Sequence, residues 1–250
     1  MRVIKIGGRA QGDPSLPAAL LAAWARAPGG LVVVHGGGDE VSALQRTLGG
    51  APQFSGGRRI TTESDVAVVR MVLSGTVNKR LVAQLAAARA VGVSGEDGGL
   101  LEAVVGDPSL GRVGTPSRVD VSLLTRLLAG GFLPVVSPVA RDARSASGEA
   151  LNVNGDDAAA AFAVALAADD LLLLADVSGV LDGETLVGAT DPDGARALIA
   201  RGIARGGMAA KLEAACVALA GGVRQVRVGD LRAIADPAAG TRISLQPVPA

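Results

Sequence analysis

The sequence predicts an α/β fold with a mostly parallel central sheet and helices on both faces. Strand-like segments alternate with helix-like segments along the chain, which is the order that parallel sheets require. The run LVVVH at 31–35 and the DLLLL that opens 170–179 are continuously apolar, as expected for strands buried on both faces. Three strand-like segments end in glycine-containing turns, KIGG, VHGGG and ADVSG.

The N-terminal half predicts two strand–glycine–helix units, followed by a helical and hairpin region. Pro14 suits the first turn of a helix, and Asp107-Pro108 is a turn signal. In chain order, the predicted elements are a strand at 2–6, a helix at 14–27, a strand at 31–35, a helix that ends at Leu48, an irregular or hairpin-like segment at 51–61, helices at 62–74 and 76–90 separated by Gly75, a strand that runs into a turn over 90–99, and a hairpin from LLEAVVG to Arg112.

The C-terminal half continues the alternation, with a long alanine-rich helix that begins at NVNGD. No change of composition marks a linker, so we expect one domain of residues 1–250. The predicted elements are a helix at 120–130, a strand at 132–138, a polar loop or hairpin at 141–151, the long helix to about Ala168, a strand at 170–179, helices at 191–202 and 206–220, a strand at 223–229 and a last edge strand at 241–245.

Composition argues against several classes of function. The 250 residues include 24 basic and 24 acidic side chains, and this balance gives no support for a nucleic-acid or membrane surface. No apolar run reaches the roughly 20 residues of a membrane span. Cys216 is the only cysteine, which suits a reducing cytoplasm. The strand-like start MRVIKIGG leaves no room for a signal peptide, so we expect a cytoplasmic protein.

Lysine and asparagine are rare enough to be informative. Of the 24 Lys and Arg residues only three are lysine, namely Lys5, Lys79 and Lys211. A codon bias toward arginine explains the general pattern, and the remaining lysines are candidates for sites that need a compact ammonium group. Two of the three asparagines, Asn152 and Asn154, stand together in NVNGDD.

The glycine-containing turns predict an anionic ligand. In open α/β sheets, ligands bind beyond the C-terminal strand ends, where backbone amides and helix N-termini point at phosphate or carboxylate. Lys5 adjoins one such turn, Lys211 follows RGGMAA, and Asp156 stands in the first turn of the long helix. Two lysines and a carboxylate around a phosphate would form the centre of a phosphoryl transferase. A solvated Lys5 and a helix-capping Asp156 are the alternatives.

Other chemistries lack their motifs. The patterns GxxxxGK[ST], GxGxxG after the first strand, and GxSxG are absent. His35 is the only histidine, and there is no Cys/His cluster for zinc. We therefore interpret His35 as a structural residue at the strand end.

Seven segments occur in the order seen in the amino-acid kinase superfamily, and they most resemble its N-acetylglutamate kinases. The segments are KIGG, VHGGGDEV, SGGRRIT, GTVNKRLV, LNVNGDDAAA, ADVSGVLDG and GGMAAKLEAA, and they span nearly the whole chain. The resemblance implies a three-layer α/β/α sandwich. It also implies an acceptor-binding and dimerising lobe at about 1–168 and a nucleotide-binding lobe at about 169–250.

The resemblance implies roles for individual residues. Lys5 and Lys211 would stabilise the transferring phosphoryl group, and Asp156 would organise them. The amino-acid substrate would be bound by Gly37, Gly38, Asn152 and Arg59, with Arg58 as the alternative to Arg59. The nucleotide would be bound by Gly7, Gly8, Asp176, Val177, Ser178, Gly179, Val180, Leu181, Gly207 and Met208.

Three neighbours of these motifs have less definite roles. We interpret Asp157 as a solvated acid in the first turn of its helix. Asn78 and Lys79 lie in a helical pattern, where a subunit or loop contact is as plausible as a ligand contact.

The implied reaction transfers the γ-phosphoryl group of ATP to the γ-carboxylate of N-acetyl-L-glutamate, a step of arginine biosynthesis. This carboxylate, with a pKa near ~4.3, is ionised at pH 7 and needs no general base. Two ammonium groups, backbone amides and Mg²⁺ held mainly by ATP would offset the charge repulsion. The alternatives are a kinase for carrier-protein-linked or acyl α-aminoadipate or glutamate, and a non-catalytic amino-acid-sensing domain.

The resemblance also bears on assembly. Arginine-inhibited members of the family carry an extra N-terminal helix that interlaces dimers into a hexamer. The first predicted strand begins at Arg2, so we expect a homodimer joined through the acceptor lobe and no inhibition by arginine. A monomer is the alternative, because a chain of this length can bury its own core.

Overall fold

The apolar segments of the sequence form the middle of a sheet, because they are the segments that can be buried on both faces. The computed structural model describes residues 1–7 and 9–245. The strands are β1 (Arg2–Ile6), β2 (Leu31–His35), β3 (Gln53–Ser55), β4 (Arg58–Ile60), β5 (Val91–Ser94), β6 (Leu101–Val105), β7 (Val113–Val119), β8 (Pro134–Ser137), β9 (Val139–Asp142), β10 (Ala150–Val153), β11 (Asp170–Leu174), β12 (Leu181–Asp182), β13 (Thr185–Leu186), β14 (Ala189–Thr190), β15 (Gln225–Gly229) and β16 (Thr241–Ile243).

Side-chain caps start several of the helices. The α-helices are α1 (Leu16–Arg26), α2 (Gly38–Thr47), α3 (Glu63–Val69), α4 (Asn78–Gln84), α5 (Ser122–Ala129), α6 (Gly155–Ala165), α7 (Pro192–Ala200), α8 (Gly207–Ala220) and α9 (Arg232–Ala235). Thr62 and Asp65 form a capping box at α3, Asn154 caps α6, and Asp191 caps α7. These caps satisfy backbone N–H groups that have no partner within the helix.

Among the described residues, eight strands form the central sheet, in the order β14-β16-β15-β11-β1-β2-β8-β5. The strands from β15 to β5 are parallel, whereas β16 is antiparallel to β15. Every residue of β2 and β8 is buried, so both faces of the sheet are covered. Helices α6 and α7 both pack on α8, and α1 packs on α9. The three-layer α/β/α arrangement that the resemblance implies is therefore confirmed.

A small closed sheet of β6, β7, β9 and β10 lies beside the central one. Strands β6 and β7 form the hairpin predicted around Asp107-Pro108, and β9 and β10 form the hairpin predicted within 141–151. Strand β10 then leads directly to Asn154 and α6, so this sheet fixes where the long helix begins.

The prediction that Gly75 separates two helices is wrong. The chain stays helical from α3 through a π-helical stretch at Arg70–Val77 into α4. A glycine in a helix costs only about 1 kcal/mol, and the stretch buries Val72, Leu73 and Val77 in return. π-Helical turns are often found at functional sites.

The strand predicted at 241–245 is present as β16, but its predicted place at the edge of the sheet is wrong, because β14 pairs with it on the side away from β15. Strand β14 has only two residues, and so short a segment carries no periodic signal in the sequence.

The C-terminal ends of β1, β2 and β11 meet at one edge of the sheet, because these strands are adjacent and parallel. They bring Lys5, the glycines at 36–38 and the turn after Leu174 together. The sheet is continuous across the predicted lobe boundary near residue 168, and the division into lobes stays a prediction.

Candidate active site

Two lysines share one carboxylate at this edge of the sheet. The ammonium nitrogen Nζ of Lys5 lies 2.9 Å from Oδ1 of Asp156. The Nζ of Lys211 lies 2.9 Å from the same oxygen and 3.2 Å from Oδ2. Lys5, Asp156 and Lys211 are only 7%, 4% and 8% exposed. The structure thus brings together the three residues nominated as catalytic, while their catalytic role stays a prediction.

Three elements position this lysine–aspartate cluster. Lys5 is near the end of β1, Asp156 is in the first turn of α6, and Lys211 is in the second turn of α8. Asn154 starts α6 at the required point, because its side chain accepts the N–H of Asp156 at 2.8 Å. Helix α6 packs on both β1 and α8, so the three side chains converge.

The cluster carries an excess positive charge in a buried place. Burial acts to raise the pKa of Asp156, but the ammonium groups of Lys5 and Lys211 outweigh it and hold that pKa below its usual value. Burial, and then repulsion from Lys5, lower the pKa of Lys211 to about 8, although Asp156 acts in the opposite direction. An anion bound beside Lys211 would offset the repulsion between the two ammonium groups, so the cluster favours anionic ligands.

The first of two clefts lies between the glycine turn after β2 and the β3–β4 hairpin, and has a volume of about 210 Å³. All four residues assigned to the amino-acid substrate line it, namely Gly37, Gly38, Arg59 and Asn152. Lys5 and Asp156 also border it, and its apolar lining includes Val41, Phe54, Val69 and Leu73. We call it the acceptor cleft.

Neutral groups hold Arg59 in the acceptor cleft. Its guanidinium donates to the carbonyl of Gly38 and to Oγ of Ser42, both at 2.7 Å, and also to Oε1 of Gln45. It lies 4.8 Å from the centre of the Phe54 ring. Within residues 1–7 and 9–245 it forms no salt bridge with an acidic side chain. Burial lowers the pKa of Arg59, so a substrate carboxylate would supply a missing counter-charge.

Two further polar side chains support the acceptor cleft. Asn152 donates to Oγ1 of Thr61 at 3.0 Å and links β10 to the segment after β4. His35 is fully buried, with Nδ1 2.9 Å from the Gly36 carbonyl and Nε2 3.1 Å from the amide nitrogen of Asn78. Burial lowers the pKa of His35 to about 4, so the ring is neutral at pH 7. His35 therefore shapes the glycine turn, and Asn78 makes an internal contact.

The second cleft lies beyond Lys211 and has a volume of about 430 Å³. Of the residues assigned to the nucleotide, it is lined by Gly7, Asp176, Val177, Gly207 and Met208. We call it the nucleotide cleft.

The predicted segment from Ser178 to Leu181 does not line the nucleotide cleft. Val180 is buried and donates its N–H to Oγ1 of Thr241 at 2.8 Å, because the chain turns toward β16 after Val177. Gly8 lies outside the described residues.

Sequence reasoning missed two ion pairs. Arg9 lines the nucleotide cleft and forms an ion pair with Asp176 at 2.7 Å. In the sequence, the only indication of this role is that a basic residue directly follows Gly7-Gly8. The interpretation of Asp157 as a solvated acid is wrong, because it is mostly buried and pairs with Arg58 at 2.6 Å. The two partners are 99 residues apart, so no local pattern could reveal the contact.

The lysine–aspartate cluster lies between the two clefts, because Lys5 borders the acceptor cleft and Lys211 the nucleotide cleft. An acceptor and a phosphate donor in these clefts would meet at the ammonium groups. A protein-bound metal fits poorly, since no three His, Cys, Asp or Glu side chains come together in the part of the chain that the structure describes. Over the same residues, we find no helix with the length and apolarity of a membrane span.

Sequence comparisons point to one family. The model of the amino acid kinase family matches residues 1–230. An acetylglutamate kinase from Cereibacter sphaeroides is 45% identical over 237 residues, covering 92% of this chain and 80% of that protein. An acetylglutamate kinase from Methanopyrus kandleri is 42% identical over 247 residues, covering 94% of this chain and 96% of that protein.

Solved structures agree in fold. The protein smu.665 from Streptococcus mutans UA159 superposes with a TM-score of 0.88 at 28% identity, covering 98% of both chains. N-acetylglutamate synthase from Neisseria gonorrhoeae, complexed with coenzyme A and N-acetyl-glutamate, superposes with a TM-score of 0.81 at 25% identity. The match covers 99% of this chain but only 60% of that one. Carbamate kinase from Giardia lamblia superposes with a TM-score of 0.71 at 16% identity, which shows a likeness of fold alone.

Proposed function

The chain belongs to the amino acid kinase family, and from this premise we propose that it transfers the γ-phosphoryl group of ATP to the γ-carboxylate of N-acetyl-L-glutamate. Acetylglutamate kinases that are 41–45% identical over most of the chain support this assignment. The products are ADP and an acyl phosphate, and the reaction is a step of arginine biosynthesis.

The observation that carries the proposal is the sharing of Asp156 by Lys5 and Lys211 between the two clefts. A γ-carboxylate oxygen attacks the γ-phosphorus, the bond to the β–γ bridging oxygen breaks, and ADP leaves with that electron pair. The two ammonium groups neutralise charge on the transferring group, and Asp156 keeps them at a fixed separation. No proton is transferred, because a carboxylate with a pKa near ~4.3 is already ionised at pH 7.

The acceptor cleft offers matching groups for an acylated amino acid. Arg59 has donors and charge for the α-carboxylate, while Val69 and Leu73 provide an apolar wall for the acyl group. Asn152 supplies an amide at the same cleft.

We expect Arg59→Ala to raise the KM for the acceptor roughly 10- to 100-fold, as for loss of a charged hydrogen bond, and to leave the KM for ATP nearly unchanged. Initial rates measured against each substrate in turn check this. Equal changes in both KM values would contradict the assignment of Arg59 to the acceptor.

The proposal includes Mg²⁺, a homodimer and a cytoplasmic location. Among its described lining residues the nucleotide cleft has one carboxylate, Asp176, which is engaged by Arg9, so the triphosphate itself would hold most of the ion. Mg²⁺ would supply charge neutralisation on the phosphates. The single Cys216 suits the reducing cytoplasm.

The decisive experiment measures ADP release with N-acetyl-L-glutamate, N-succinyl-L-glutamate, N-acetyl-L-α-aminoadipate and free glutamate. We expect the acetylglutamate rate to exceed each of the others. A preference for the aminoadipate compound would support the longer acceptor instead. Binding of acetylglutamate without ADP release, seen by calorimetry, would support the non-catalytic sensing domain.

A further inference from the structure

The β3–β4 hairpin carries two consecutive arginines that point to opposite faces, as neighbouring residues in a strand do. Arg59 turns into the acceptor cleft, and Arg58 also lines part of that cleft. Arg58 turns toward α6, where its Nη1 lies 2.6 Å from Oδ2 of Asp157. The side chains of Arg58 and Asp157 are 29% and 18% exposed, so this contact is more protected than an ordinary surface ion pair.

The hairpin needs an anchor, because it does not belong to the central sheet. All three residues of β3 are exposed, and among the residues that the structure describes β3 and β4 pair only with each other. An isolated two-stranded hairpin is marginally stable in water. Arg59 ties β4 to α2, and the backbone of Thr61, which follows β4, is hydrogen-bonded to Leu110 and Arg112. Neither contact attaches the hairpin to α6.

Arg58 is the first residue of β4, directly after the turn of the hairpin, and acidic side chains of α6 and α8 attract its guanidinium there. The hydrogen bond to Asp157, against the effect of burial, raises the pKa of Arg58, and attraction from Glu213 on α8 adds to it. Arg58 therefore lies between the first turn of α6 and α8, the helix that carries Lys211.

The tip of the hairpin also reaches α8. Gly57 has a φ of 78°, and a Cβ built there would lie 3.5 Å from the Cα of Gly206, the residue before α8. Asp156 and Asp157 are consecutive, so one helical turn binds both lysines of the cluster and the hairpin.

We propose that Arg58 and Asp157 form a positioning pair, which fixes the β3–β4 hairpin against α6 so that Arg59 is held over the acceptor cleft. Arg58 also lines the acceptor cleft, but its guanidinium is engaged by Asp157, so in this inference it acts through Arg59 and not on the acceptor itself. The identity of the acceptor in this inference rests on the proposed function.

The kinetic test compares Arg58→Ala, Asp157→Ala, their double variant and Arg58→Lys. Each alanine variant should raise the KM for the acceptor about tenfold, with kcat and the KM for ATP within about twofold. The double variant should be no worse than either single one, because both remove the same contact. Arg58→Lys should keep a KM near that of the wild type, since the ion pair is retained.

Arg70→Ala is the matched control. Arg70 also forms an ion pair, with Glu96, in the N-terminal half of the chain, and it borders neither cleft. Its removal should leave the KM for the acceptor unchanged. If only Arg58→Ala raises this KM and Asp157→Ala does not, Arg58 contacts the acceptor directly and the positioning pair is disproved.

Hydrogen exchange tests the pair without any activity. Loss of either partner should speed the exchange of the backbone amides at 53–60 about tenfold in the ligand-free protein, while Arg70→Ala leaves them unchanged. Unchanged exchange at 53–60 in both alanine variants would overturn the inference. A wild-type protein that fails to release ADP with acetylglutamate would instead overturn the proposed function, and the exchange result would stand.

Discussion

Asp156 carries the electrostatic balance of the site, because both of its lysine partners bind the same carboxylate oxygen. Removing one lysine would leave a neutral pair, whereas removing Asp156 would leave two buried ammonium groups facing each other. Breaking a buried pair in this way costs several kcal/mol, about 3–5 in typical cases. The site thus tolerates its excess charge only through Asp156.

Replacement of either cluster lysine by arginine should lower kcat roughly 100-fold or more, as loss of an oxyanion donor does. The guanidinium retains the charge but cannot occupy the compact position of an ammonium. Steady-state rates of Lys5→Arg and Lys211→Arg check this. Lys79→Arg is the control, because Lys79 donates to the Gly92 carbonyl and borders neither cleft. Near-full turnover of a folded Lys5 or Lys211 variant would contradict its assigned role.

The affinity for ATP should fall as pH rises above about 8. The pKa of Lys211 is about 8 in the ligand-free protein, and a triphosphate binds the protonated amine better. Below this pH the amine is already charged, so the affinity for ATP does not change with pH. Above it, the Kd for ATP rises by up to about tenfold per pH unit, because the protein must take up a proton when ATP binds. Calorimetry from pH 7 to 9.5 measures this. Lys211→Met should abolish the dependence, and a flat wild-type profile would contradict it.

At the scale of elements, the glycine turn after β2 and the π-helical stretch form one unit. Gly37 has a φ of 156°, and a Cβ there would lie 2.8 Å from Cδ2 of Leu73 and 3.1 Å from Cγ2 of Val77. Asn78, which follows this stretch, bonds His35 at the end of β2. The helical register therefore sets the position of the turn that lines the acceptor cleft.

Gly37→Ala should destabilise the protein by about 1–3 kcal/mol through overpacking and raise the KM for the acceptor. Gly75→Ala is the control within the same stretch, because a Cβ at Gly75 meets no atom within 4 Å. It should leave the KM unchanged and stabilise the helix by up to about 1 kcal/mol. Urea unfolding and initial rates measure both. Equal stability of the two variants would show that the turn has room for a side chain.

At the scale of the whole molecule, the central sheet joins both clefts into one structure. Strand β1 pairs with β2 on the acceptor side and β11 on the nucleotide side, so Lys5 stands where the two halves meet. Strand β5 ends the sheet and, among the described residues, pairs only with β8. An open edge of this kind favours association between chains.

We expect light scattering at micromolar concentration to give twice the chain mass of 24.7 kDa, which indicates a homodimer. The two-fold contact would cover the open sheet edge or an apolar helix face in the acceptor lobe. A mass equal to one chain at every concentration would contradict this prediction, and a higher multiple would point to a second interface.

The sequence by itself determined the features that depend on neighbouring residues. The apolar runs identified β2 and β11, the glycine turns marked the strand ends, and the rarity of lysine drew attention to Lys5 and Lys211. Such patterns are local, and local preference and burial agree in these segments.

Only the tertiary structure decided how distant segments meet. It placed both lysines on one oxygen of Asp156, paired Arg58 with Asp157 across 99 residues, and covered β16 with β14. These contacts arise from the packing of α6 and α8 and from the order of the strands in the sheet. No spacing along a single chain encodes them, because each partner taken alone resembles an ordinary charged residue or a short polar segment.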